Sequence, residues 1–84
     1  MSLLSANLQA FVSIVKNSTV HGAADDLGLT QTAVTQRIRA LEQELATTLF
    51  LRSRRGMQLT QEGEALLRYC QGAKDLEGQV LSQI

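Results

Sequence analysis

Within six residues of this chain stand two glutamines and two threonines, Gln31, Thr32, Thr35 and Gln36, followed at once by Arg37 and then by Arg39. The chemistry open to such a set is the reading of base edges. A Gln amide pairs bidentately with adenine, an Arg guanidinium pairs with guanine, and a Thr methyl meets the thymine methyl in the major groove. A solvated helix face carries the same residue types, so each one alone says little. They gain meaning from the elements that would hold them.

Those elements read as two helices joined by a sharp turn. Ala23, Ala24 and Leu27 share one apolar face of a short first helix. Gly28 falls where the chain needs a residue that tolerates a left-handed backbone. Thr30 then suits an N-cap, its hydroxyl able to accept from the next turn's free amides. In the helix that follows, Val34, Ile38, Leu41 and Leu45 form a narrow apolar stripe. Thr32, Gln36, Arg39 and Gln43 lie opposite it, with Thr35 at the edge. A short supporting helix and a second helix with a polar outer face make a helix-turn-helix. In that motif the N-terminal turns of the second helix face the bases, and their free amides suit a phosphate.

Past this helix, Leu49-Phe50-Leu51 and Met57-Gln58-Leu59-Thr60 have strand-compatible residues, and Arg52-Ser53-Arg54-Arg55-Gly56 between them supplies a turn. Phe50 and Leu59 are expected to close the core. Arg52, Arg54 and Arg55 project from the hairpin tip towards a DNA backbone or a narrow minor groove. Ahead of the helix-turn-helix, a first helix starts after Ser2 or Ser5 and buries Leu8, Phe11, Val12 and Val15. Asn17-Ser18-Thr19 breaks it, with Ser or Thr capping the next helix. His21, near that helix's N-terminus, either contacts the DNA backbone or faces solvent.

From Gln61 to Ile84 the apolar positions keep helical register, with Thr60 as cap and Glu62 and Glu64 complementing the first-turn dipole. Leu66, Cys70, Ala73, Leu76 or Glu77, Val80 and Ile84 follow a near-heptad spacing, with Leu81 beside them. At ~1.5 Å per residue such a helix is too long to be covered by so small a body, so this stripe is expected to bind a second copy. The pattern ends without a C-cap, from which we expect a longer natural chain.

With 84 residues the chain makes one domain body. Its single cysteine excludes an internal disulfide and fits a reducing compartment; Cys70 reads as a small apolar residue, with a reactive thiol the alternative. No apolar run approaches a membrane span, and a cytoplasmic location is expected. The formal net charge is zero, but from Thr30 to Thr60 five arginines face two glutamates, a local surplus of three. The one histidine has no acid–base partner by spacing, and neither a metal-ligand cluster nor a phosphate loop is present, so no enzyme, metal or cofactor is expected.

The order of these motifs resembles the N-terminal DNA-binding domain of the LysR-type transcriptional regulators. The shared pattern runs through Leu8 and Phe11, Ala23-Ala24, Leu27, Thr30-Gln31, Ala33-Val34-Thr35, Ile38, Leu41-Glu42, Leu45, Leu49-Phe50, Arg52, Leu59-Thr60 and Gly63. It departs at Val20, where an aromatic is usual, at His21 for Ser or Thr, at Thr32 for Pro and at Ala46 for Gly. The resemblance implies a mostly α, winged helix-turn-helix over residues 1–60 (three helices and a two-stranded wing) and a long linker and dimerisation helix over 61–84. It also implies a bacterial regulator whose effector-binding domain, absent from this chain, takes the small molecule. The expected function is sequence-specific binding of double-stranded DNA, as a homodimer on a palindromic site, with higher homo-oligomers open to the full-length protein. Gln31, Thr32, Thr35 and Gln36 would read bases; His21, Thr30, Arg37, Arg39, Arg52, Arg54 and Arg55 would serve backbone or wing contacts. Leu66, Cys70, Ala73, Leu76, Val80, Leu81 and Ile84 would form the dimer contact. The competing expectation is a winged-helix module that binds protein through its last helix and touches no DNA.

Overall fold

The computed structural model describes residues 3–84; Ser2, one of the two expected caps, lies outside them. Helix α1 (Ala6–Asn17) starts at the other, Ser5, whose hydroxyl accepts from the Leu8 amide, and ends at Ser18 in a left-handed conformation. Helix α2 (Val20–Leu27) is capped by Thr19, which accepts from the Gly22 amide at 2.9 Å, and is closed by Gly28 at φ 67°. Helix α3 (Gln31–Leu45) is capped by Thr30, whose Oγ1 accepts from the Ala33 amide at 3.1 Å. Strands β1 (Phe50–Ser53) and β2 (Gly56–Leu59) pair antiparallel with Phe50 opposite Leu59 and Ser53 opposite Gly56. Helix α4 (Gln61–Ser82) begins at the Thr60 cap with Glu62 and Glu64 in its first turn. Three helices, a two-stranded wing and a long last helix make the expected winged helix-turn-helix.

The core forms where α1, α2 and α3 meet, and the wing's base closes it. Phe11 and Phe50 pack as tilted rings with centroids 5.2 Å apart, a geometry favoured by the ring quadrupoles. Ala23, Ala24, Val34, Ile38 and Leu41 are buried as predicted. Three expectations need correction. On α1 the fully buried residues are Ala10, Phe11, Ser13 and Ile14, while Leu8, Val12 and Val15 are only half-buried against them. Leu45 is 45% exposed, because the body ends one turn before α3 does. Leu59 is half-buried rather than central, with Leu49 taking the fully buried place.

Polar groups inside this body are tied to one another, as burial requires. Ser13 donates to the Asp26 carboxylate at 2.8 Å and accepts from the Asn17 side chain, which joins α1 to α2. The Glu42 carboxylate accepts from the Leu49 amide at 2.7 Å, fixing where β1 leaves α3. The Met57 amide donates to the Ser18 carbonyl at 3.0 Å and pins the wing to the α1–α2 turn. At the base of the wing the Thr60 hydroxyl donates to the Thr48 carbonyl at 2.6 Å while accepting from the Gly63 amide.

Helix α4 is two things in sequence. Leu66 and Leu67 pack against the core and Cys70 is 1% exposed, so its first half belongs to the winged body. A boundary at residue 60 therefore falls at a helix cap, not between two separately packed units. Beyond Cys70 one side of the helix still meets the N-terminal segment, where the Leu3 amide donates to the Glu77 carboxylate, but Leu76 is 63% and Val80 48% exposed, and Ile84 after the helix is 94% exposed. No helix among the described residues is long and apolar enough to cross a membrane.

Candidate nucleic-acid interface

The predicted base-reading residues come together at one end of α3. Gln31, Thr32 and Gln36 are exposed and Thr35 is half-buried on the flank that meets the wing. Thr30 spends its acceptor on the Ala33 amide, leaving the amides of Gln31 and Thr32 as the helix's free N-terminal donors. Arg39 and Gln43 continue the exposed face one and two turns on. Arg37 does not: at ~100° per residue it stands roughly 160° around the helix from Arg39, and it is half-buried. Arg39, rather than Arg37, shares the polar face.

Between this face and the wing lie two grooves. One, of about 270 Å³, lies between the N-terminus of α2 (Thr19, Val20, His21), Gln31, and the wing residues Arg52, Ser53, Gly56 and Met57. The next, of about 190 Å³, runs between Thr35, Arg39 and Glu42 of α3 and Phe50, Arg52 and Met57 of the wing, over Ile14, Val20 and Ile38. Arg52 lines both. It sits within β1 opposite Met57 rather than at the hairpin tip, which aims it along the grooves. The strands run closer to the turn than their composition suggests, so that only Arg54 and Arg55 occupy the tip. Both keep negative φ, and Gly56 at φ 101° supplies the left-handed step that starts β2. Ser53 braces the turn, accepting from the Arg55 amide and donating to the Gly56 carbonyl.

Charge on this surface is unneutralised. None of Arg39, Arg52, Arg54 and Arg55 is paired with a carboxylate among the described residues. His21 lies at the groove's edge, where its Nδ1 is 3.0 Å from Gln31 Nε2 and its Nε2 is 3.6 Å from an Asp25 carboxylate oxygen. Sequence reasoning missed the His21–Gln31 contact, since ten residues and a turn separate the two. A rigid helix face of amide and hydroxyl groups, backed by cations on a braced hairpin, can offer hydrogen bonds to base edges and charge to phosphates.

Residues 5–64 match the profile of the bacterial regulatory helix-turn-helix proteins of the lysR family. The chain belongs to the LysR family. Its relatives include an uncharacterized HTH-type transcriptional regulator, YusT, of Bacillus subtilis, 48% identical over 65 residues, covering 77% of this chain and 22% of that protein. The HTH-type transcriptional regulator SoxR of an Arthrobacter species is 49% identical over 65 residues, with the same coverage. Among solved structures, the BenM DNA-binding domain in complex with benA site 1 DNA superposes with TM-score 0.86 at 30% identity, covering 99% of this chain and 94% of that one. The CbnR DNA-binding domain in complex with DNA gives 0.82 at 30% identity, covering 92% and 88%. This LysR-family chain thus spans about a fifth of the length of the curated relatives it matches, and nearly all of solved DNA-binding domains.

On α4, Cys70 is buried in the chain's own core, which takes it out of the expected dimer stripe, while Leu66 is half-buried against that core. Burial also pushes the Cys70 thiol above its ordinary value of 9.0, with nearby Lys74 opposing, so it packs as an apolar group. Ala73 and Leu81 are half-buried; Leu76, Val80 and Ile84 stay exposed, and Tyr69, 62% exposed on the same helix, was missed.

Proposed function

We propose that this chain is the DNA-binding domain of a bacterial LysR-type transcriptional regulator, binding double-stranded DNA sequence-specifically as a homodimer. One observation carries the reading. The exposed face bearing Gln31, Thr32, Gln36 and Arg39 opens beside a pinned wing whose arginines have no carboxylate partner among the described residues. Its close likeness to domains solved on DNA supports the same reading. Gln31, Thr32, Thr35 and Gln36 read base edges; Arg39, Arg52, Arg54 and Arg55 and the free α3 amides hold phosphates, with the wing free to enter a minor groove. The dimer forms through Leu76, Val80 and Ile84 beyond the body, with Ala73 and Leu81 beside them. In the whole regulator, a cytoplasmic protein, a small-molecule effector would act through a further domain.

Binding of labelled random-sequence duplex, followed by anisotropy across a salt series, tests this. Neutralising five or more phosphates gives a log–log slope of about −4 or steeper. A flat salt response with partner capture through α4 would favour the protein-interaction reading and reject this one.

A further inference from the structure

We propose that His21 is a positioning residue for base recognition, holding the Gln31 amide so that it presents one donor beside one acceptor, the pattern an adenine edge complements. This rests on the reading that the α3 face meets DNA, and it goes further in naming what sets the base preference. Gln31 Nε2 lies 3.0 Å from His21 Nδ1, across two helices and on the exposed side of the groove, and since an amide nitrogen can only donate, a hydrogen bond there has Gln31 as donor. That polarity requires the imidazole proton on Nε2. Asp25, one turn along α2, places a carboxylate oxygen 3.6 Å from that Nε2. The gap is too long for a strong hydrogen bond, but the negative charge favours the proton there and leaves Nδ1 as acceptor.

Gln31 has two amide hydrogens. With the hydrogen trans to Oε1 engaged by His21, the other is left beside Oε1, and the two make the donor–acceptor edge that pairs with adenine N7 and N6. Without that restraint the amide turns over freely and the order reverses. The hydrogen bond also removes rotamer freedom before DNA arrives, so less is lost on binding. His21 stands at a groove edge lined by Arg52, whose cation is the other charge facing it from the wing.

The test compares wild type, Gln31→Ala, His21→Leu, His21→Asn and the Gln31→Ala/His21→Leu pair by selection from a random duplex pool and by salt titration. His21→Leu should relax preference at the same base pair as Gln31→Ala, by about five-fold or more. It should leave the salt slope unchanged and add nothing in the Gln31→Ala background. His21→Asn, whose amide oxygen can stand near the Nδ1 position, should recover most of the preference. A His21→Leu that weakens all duplexes alike and lowers the salt slope would make His21 a phosphate contact and overturn the proposal. So would an effect that adds in full to that of Gln31→Ala. Should the wild-type chain bind no duplex, the DNA-binding reading fails first and takes this inference with it.

Discussion

Replacing Gly63 by Ala should destabilise the domain, against the ordinary preference of helices for Ala. Gly63 is buried in the first turn of α4, where that helix crosses the end of α3's connection to the wing. A Cβ built there falls 2.4 Å from the Leu49 carbonyl oxygen and 2.9 Å from a Leu59 methyl, against an ordinary contact of 3.4–4 Å. The Leu59 methyl can swing aside. The Leu49 carbonyl cannot, because it accepts from the Thr60 amide at 3.0 Å and sits beside the Thr60 hydroxyl. Helix α4 must therefore lift by roughly 1 Å, straining the cap that starts it and the packing of Leu66, Leu67 and Cys70. Overpacking of this kind costs about 1–3 kcal/mol, while Gly→Ala in a helix returns roughly 1 kcal/mol. A backbone obstacle puts the loss at the upper end, for a net cost of about 1–2 kcal/mol. In a domain this size each kcal/mol lowers Tm by about 4–8 °C. Gly72→Ala and Gly78→Ala, whose added Cβ meets nothing within 4 Å, serve as controls and should melt slightly higher than wild type. Thermal melts by circular dichroism at one protein concentration decide it. A Gly63→Ala variant that melts with or above these controls would refute the close approach.

Ala46 closes α3 in a left-handed conformation at φ 52°, so Ala46→Gly should stabilise by about 0.5–1 kcal/mol in urea denaturation; no gain would place the strain elsewhere. Because burial raises the Cys70 thiol above 9.0 in the folded state, the folded form holds its proton more firmly than the unfolded one. That contribution to stability is fully present below the unfolded value, about 8.5–9. It should fall as pH rises from there through the folded value, a decline that Cys70→Ala removes and that urea melts at several alkaline pH values can follow. The pair Leu76→Glu, Val80→Glu should turn a dimer into a monomer by sedimentation, without altering the body's melt, since both side chains lie beyond it; a persistent dimer would put the contact elsewhere.

Much of this architecture is legible locally. Thr30, Thr60 and Gly28 mark helix ends because a cap needs only a side-chain oxygen or a tolerant φ within one turn. The hairpin arginines are equally visible, since a Gly and a charged run announce a turn. What periodicity leaves open is who covers a stripe. The spacing of Leu66, Cys70 and Val80 is one continuous pattern, yet Cys70 is buried in the chain's own core, Leu66 is half-buried against it, and Val80 is left 48% exposed. Likewise Leu45 shares a stripe with Leu41 but outruns the body. Ala10 and Ser13 are buried by close helix approach, which small residues permit but do not signal. The Gln31–His21 pair depends on how α2 and α3 cross, and spacing alone does not reveal it.

The most direct measurement of the central claim is selection of bound duplexes from a random pool by the wild-type chain and by Gln36→Ala and Arg54→Ala. The wild type should yield a consensus with two-fold symmetry. Gln36→Ala should relax one or two positions of it, at about 1–3 kcal/mol, and Arg54→Ala should keep the consensus while reducing the salt slope by about one. An unchanged consensus with Gln36→Ala, or no consensus from the wild type, would contradict base reading by the outer face of α3.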